Sequence, residues 1–191
     1  MCYLQPGYHA DEGKRFRIHE WLGFGGRSPH YQLFTAEDKA TGELVMVKVF
    51  PTAEWRTGEI ESELDRIRDL EHETLIRPLD FGPVASESYP FYTGSLAYVA
   101  EPIQSGMNLE RFLEEEPPPE KVEPIFSSIL DGLRFLAAEW VPCDVPAREI
   151  VLARPDLARW SLVGAERCGM GSLPNVVRTI SHRYPALAAS C

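Results

Sequence analysis

The heptapeptide LVMVKVF, residues 44–50, decides how the rest of the chain is read. Valine and phenylalanine favour the pleated, half-buried surface of a strand, and Lys48 stands in the middle of that run. Lysine is scarce here: there are four, Lys14, Lys39, Lys48 and Lys121, against fifteen arginines. A lysine inside an apolar strand therefore needs a reason. Either its aliphatic stem snorkels and carries the ammonium to water, or the ammonium projects towards an anion.

On the N-terminal side, YQLFTAED at 31–38 and FRIHEWLGF at 16–24 have the same strand-like texture, and the turn KATG at 39–42 joins two strands as a hairpin. LGFGG at 22–26 lies between two of these strands; its glycines serve either a plain tight turn or a loop whose backbone N–H groups approach phosphate. Residues 1–15 are polar and rich in turn formers, and are expected to be a flexible lead-in.

On the C-terminal side the period changes. Ile60, Leu64, Ile67 and Leu70 fall at helical spacing between Trp55 and Glu71, with Glu59, Glu61, Glu63 and Glu71 as acidic neighbours. LIRPLDFG at 75–82 and SLAYVAEPI at 95–103 read as two further strands, making five strands and one helix up to Ile103. Beyond it the texture is helical. NLERFLEE at 108–115 is a short helix closed by prolines, and a longer one from Pro119 carries Val122, Phe126, Ile129, Leu130, Leu133, Leu136, Ala137 and Trp140 on one broad face. REIVLARPDLARWSLVG at 148–164 reads as two short strands around an Arg-Pro-Asp turn, and a last helix is expected near Val176–Ser181.

The 191 residues are 44% hydrophobic and 25% charged with a net charge of −10, a composition for one domain or two small lobes. The acidic balance argues against nucleic acid as a partner, because phosphate neutralisation needs a basic surface. Cys2, Cys143, Cys168 and Cys191 form no paired framework, so neither a zinc site nor a disulfide scaffold is expected. No apolar run approaches the roughly 20 residues that span a bilayer, and MCYLQPGYHADEGKR lacks the order of a signal peptide. No membrane partner is expected, and cytoplasmic residence with reduced thiols follows.

Taken together, the glycine-bearing hairpin, the lysine in V-M-V-K, the glutamate-bearing helix, H-E-T-L-I-R-P-L-D-F-G at 72–82 and the strand ending Glu101-Pro102-Ile103 resemble the N-lobe of the protein kinase family, especially the bacterial Ser/Thr kinases of eukaryotic type. The resemblance implies an α+β, bilobal, protein-kinase-like fold: a five-stranded antiparallel N-lobe sheet with helix αC at 16–103 and a reduced, mostly helical C-lobe at 104–191. It implies ATP as cofactor, with Gly23, Gly25 and Gly26 in the glycine loop, Lys48 pairing the phosphates and Glu63 pairing Lys48. Ala100 becomes the gatekeeper, and Glu101 to Ile103 the hinge along adenine, with Ile103 as donor because Pro102 has no N–H.

Past the hinge the resemblance implies losses. VPCDVPAREIVL at 141–152 aligns with the catalytic loop, which puts Asp144 at the catalytic aspartate. Pro142 and Cys143 replace its His-Arg support, Pro146 replaces the phosphate-neutralising lysine, and Glu149 replaces a magnesium-holding asparagine. Leu162-Val163-Gly164 takes the place of D-F-G, and leucine cannot ligate Mg²⁺, which takes oxygen ligands. The loop after Gly26 lacks the third glycine, no A-P-E segment follows, and the chain is expected to be short of a full C-lobe. The reading is a pseudokinase that acts by binding a protein partner, as a scaffold or regulator. Two alternatives stand beside it: a minimal atypical kinase with a replacement metal carboxylate from Glu149, Asp156 or Glu166, and a module completed by a partner or by self-association.

Overall fold

In a computed structural model, residues 4–25, 31–52, 59–85, 94–141, 143–163, 166–167 and 174–188 are described. The chain divides into two units, the first comprising residues 1–70 and 77–103, the second residues 71–76 and 104–191.

The first unit is built on the strands that the alternating sequence predicts. Phe16–Gly25 (β1), Tyr31–Asp38 (β2) and Leu44–Pro51 (β3) are followed by the helix Glu59–Asp69 (α1). After the excursion of Leu75–Ile76 (β4) into the second unit, Asp80–Pro83 (β5) and Leu96–Pro102 (β6) complete the sheet. Its order is β1-β2-β3-β6-β5, antiparallel throughout, as expected for a five-stranded sheet. LIRPLDFG is not one strand. Pro78 has no N–H to give to a ladder, and the segment breaks there: Leu75–Ile76, within the second unit, pairs in parallel with Trp160–Ser161, and Asp80–Pro83 pairs with β6.

Strand alternation gives the first sheet two different faces. Val45, Val47 and Val49, with Leu96, Tyr98 and Ala100, join Phe16, Ile18, Phe34 and Ala36 in one buried cluster. The opposite face carries Leu33 and Thr35, half-buried, together with Met46, Lys48, Val99 and Glu101. On this side Arg68 of α1 lies over the ring of Phe81, which is paired with Val99.

From Leu4 onward, the stretch expected to be a flexible lead-in is packed. Leu4 and Ala10 enter the buried cluster, His9 bridges to Arg17, and Gly7 N–H donates to Ile18 O at 2.8 Å. Asp11 turns the chain, accepting from Arg15 N–H at 3.0 Å and Phe16 N–H at 2.8 Å. Arg15 then grips Asp38 with two hydrogen bonds, at 2.9 and 2.8 Å, and approaches Asp80 at 3.7 Å. That guanidinium holds the Asp38 carboxyl below its ordinary range. Burial, then the Asp80 charge, raises the Tyr98 phenol well above its ordinary value. Polar spacing hid this segment, because its ordering comes from side-chain caps and two apolar anchors rather than from periodicity.

In the second unit Met107–Asn108 (β7) leads into Leu109–Glu114 (α2), whose first turn Asn108 caps by accepting from Arg111 N–H at 2.8 Å. Pro119–Ala138 (α3) follows, starting with proline at its first position. Cys143–Asp144 (β8), a 3₁₀ turn at Ala147–Glu149, Val151–Arg154 (β9), Leu157–Ser161 (β10), Glu166–Arg167 (β11), Asn175–Arg183 (α4) and Pro185–Ala188 (α5) complete it. The small sheet runs β4-β10-β9-β7, and β11 pairs with β8. Helix α3 buries Val122, Ile125, Phe126, Ile129 and Leu136 and comes so close to β10 that a Cβ on Gly132 would collide with Thr74 and the Trp160 ring. Trp140, expected on the buried face, lies beyond the helix end with φ 57° and is 72% exposed. Among the described residues no helix is long and apolar enough to cross a membrane.

Candidate functional site

Within the first unit the residues of interest line the sheet face that carries Lys48. Gly25 is paired with Tyr31 and Leu33 with Lys48, so the end of β1, the start of β2 and the middle of β3 form one continuous wall. Gly23 has φ +136°, a conformation that only glycine adopts readily, so it marks a true backbone requirement. At Gly25 the constraint is space: a Cβ there would run into the Tyr31 ring. Gly26 lies outside the described residues.

Lys48 does not snorkel to water. Its Nζ lies 2.9 Å from Glu101 Oε2, and the two side chains are only 8% and 4% exposed. The register explains the pairing. Lys48 faces Val99 across the β3–β6 ladder and Met46 faces Glu101, which makes Lys48 and Glu101 diagonal neighbours on one face. The Tyr31 ring adds a cation–π contact, with its centroid 5.3 Å from Nζ. The side chain of Glu63 lies outside the described residues, and so does the expected Lys48–Glu63 pair.

The hinge assignment changes in detail. Ala100, expected as gatekeeper, belongs to the buried cluster on the face opposite Lys48. Glu101 occupies the Lys48 face instead, inside β6 and in direct register with Met46. Ile103 follows the end of the strand and is 40% exposed. Neither Glu101 as counter-ion nor Tyr31 as the ring over the ammonium was singled out from sequence. Alternation in LAYVAEP puts Glu101 on one face with Val99, but only the β3–β6 register brings that face to Lys48.

In the second unit Asp144 sits at the end of β8. Its Oδ1 accepts from Asn175 N–H at 2.6 Å, and its Oδ2 accepts from the Asn175 side-chain amide. Helix α4 begins at Asn175 after Pro174, which has no side-chain cap to offer, so Asp144 supplies the acceptor for the helix start. The other end of α4 is tied as well: Arg183 Nη1 donates to Leu113 O at 2.7 Å and Tyr184 Oη to Pro117 O at 2.8 Å. Leu162 and Val163 are buried apolar residues, while Gly164 lies outside the described residues.

Asp156 is exposed and pairs with Arg154 at 3.3 Å, Glu149 ends the 3₁₀ turn, and the Glu166 side chain lies outside the described residues. Among the described residues no three His, Cys, Asp or Glu side chains gather to hold a metal ion. His72 has a local structural role, with Nδ1 at 2.8 Å from Thr74 Oγ1, Nε2 at 3.2 Å from Asp131 and its ring stacked on Phe135.

No protein-family model matches the chain, and no curated protein matches it. Among solved structures it is similar to a crystal structure of Rad53 1–466 in complex with AMP-PNP, with a TM-score of 0.62 and 19% identity. The similarity covers 80% of this chain and 40% of that one, so the chain spans about two fifths of its neighbour's length. At this identity the likeness speaks for the fold alone, and the fold is kinase-like.

Proposed function

We propose that this chain is a catalytically impaired kinase-like domain that works by binding another protein rather than by transferring phosphate. The observation that carries the reading is the use of Asp144. A catalytic base must hold an oxygen towards the substrate hydroxyl, and each oxygen of Asp144 instead accepts a hydrogen bond from Asn175 at the start of α4, which turns the carboxylate to a capping role. Leucine at 162 supports it, since a buried apolar side chain offers no oxygen to Mg²⁺. Phosphoryl transfer depends on metal ions and positioned charges, so these two changes remove its main organisers. ATP with Mg²⁺ does not fit this residue set.

Protein binding as the remaining role is supported by aromatic exposure on the edge strand β1. Trp21 and Phe24 are exposed and meet edge to face at 5.5 Å, the kind of rigid aromatic pair that protein interfaces use. The test is transfer of labelled γ-phosphate to generic protein substrates with Mg²⁺ or Mn²⁺. No transfer above background is expected from the wild type or from Asp144→Ala. Transfer that Asp144→Ala abolishes overturns the reading.

A further inference from the structure

Glu101 stands 2.9 Å from the Lys48 ammonium, on the same sheet face. We infer that Glu101 is a built-in counter-ion that replaces nucleotide phosphate on the Lys48 wall, so that the wild-type chain does not bind nucleoside triphosphates. The inference deepens the kinase-like reading and rests on it for the meaning of Gly23, Gly25 and Lys48.

Three observations within the first unit carry it. First, the ammonium of Lys48 is already neutralised at 2.9 Å by a carboxylate that is itself buried. In the kinase pattern the lysine pairs a helix glutamate and the phosphates together; here the carboxylate that meets Lys48 belongs to the sheet wall itself. Second, Glu101 lies on the same face as Lys48, so a polyphosphate reaching for Nζ meets a fixed negative charge beside it. Displacing Glu101 leaves a buried carboxylate without its cation next to an incoming anion, and both effects oppose binding. Third, the Tyr31 ring closes the wall between Gly25 and Lys48. The space freed by the missing Cβ of Gly25, which a phosphate would need for a close backbone approach, is taken by that ring. Glycine and lysine are both present, and each is satisfied from inside the unit.

The experiment is an ATP titration, with and without Mg²⁺, read by thermal shift and by fluorescent-nucleotide displacement. Wild type, Glu101→Gln and the double variant Lys48→Met/Glu101→Gln are compared. Wild type is expected to show no saturable response at millimolar ATP. Glu101→Gln removes the competing charge while keeping the side chain's shape, and is expected to gain affinity by about tenfold or more. The double variant is expected to lose that gain, because the gain runs through the Lys48 ammonium.

Saturable binding by wild type overturns the inference, and so does a Glu101→Gln protein that folds and binds no better than wild type. Should Glu101→Gln not fold, Glu101→Met tests the same point, and the wild-type titration stands independently of any variant. The two readings fail separately. Wild-type binding without phosphate transfer sinks only the role given to Glu101, whereas wild-type transfer sinks the proposed function itself.

Discussion

The wall around Lys48 and the loop around Asp144 each hold a residue that the resemblance assigns to the kinase pattern, and each engages it by different physics. On the wall, a buried cation is met by a buried anion, Lys48 with Glu101. At the loop, a carboxylate is met by neutral donors, the backbone and side-chain N–H groups of Asn175. The difference teaches that residue identity alone does not carry function. The manner in which its own fold engages a side chain sets how strongly it resists removal.

The sharpest way to break this comparison is to remove one member of the charged pair. Lys48→Met leaves Glu101 buried without its cation and is expected to destabilise the first unit by about 3–5 kcal/mol. Lys48→Met/Glu101→Met removes both charges and fills the space with apolar volume, so most of that loss should return. Denaturant unfolding followed by hydrogen exchange within β3 and β6 measures both. If Lys48→Met costs no more than an exposed surface substitution, the ion pair is not the organising contact of that face.

A second charged pair of the same unit should respond to acid. Arg15 holds the Asp38 carboxyl below its ordinary value of 3.8. A carboxyl lowered in the folded state contributes stability that is complete above that ordinary value and is lost as the pH falls through the lower, folded one. Asp38→Asn should therefore destabilise the first unit by about 2 kcal/mol near neutral pH, through loss of charge-assisted hydrogen bonds. It should also flatten the acid limb of the unit's stability. Hydrogen exchange of β1 and β2 across the acid range is the measurement, and an unchanged acid limb in Asp38→Asn assigns the sensitivity to another group.

These charged contacts also mark how far the sequence could be read. Strands β1 to β3 and helix α3 were legible because alternation and helical spacing reflect which side is buried, and burial is a local property of each segment. LIRPLDFG reads as one strand, yet its two halves on either side of Pro78 belong to different sheets. What sequence could not supply was register. Glu101 is Lys48's neighbour only because Met46 sits across from it, and a shift of a single residue would turn Glu101 to the other face. The Asp144–Asn175 contact spans 31 positions and no local pattern announces it. The packed residues from Leu4 to Asp11 escaped for a similar reason: two apolar anchors and one capping carboxylate leave no period to detect.

The smallest expected effect concerns the neutral side of the comparison and decides whether Asp144 is a cap. Asp144→Ala removes the acceptor at the start of α4, a helix whose preceding residue is Pro174 and offers none of its own. The expected loss is about 1 kcal/mol, the usual worth of a side-chain cap. It should be confined to the second unit, with exchange rising first in the opening turn of α4 and leaving β3 and β6 unchanged. Asp144→Asn keeps an acceptor oxygen for the Asn175 N–H and should recover part of the loss, which a charge-dependent catalytic base would not do. The far end of α4 remains fastened through Arg183 and Tyr184, so the helix should fray rather than detach. A loss as large as that of Lys48→Met would mean that the Asp144 carboxylate is held by its charge, and the contrast between the two regions would collapse.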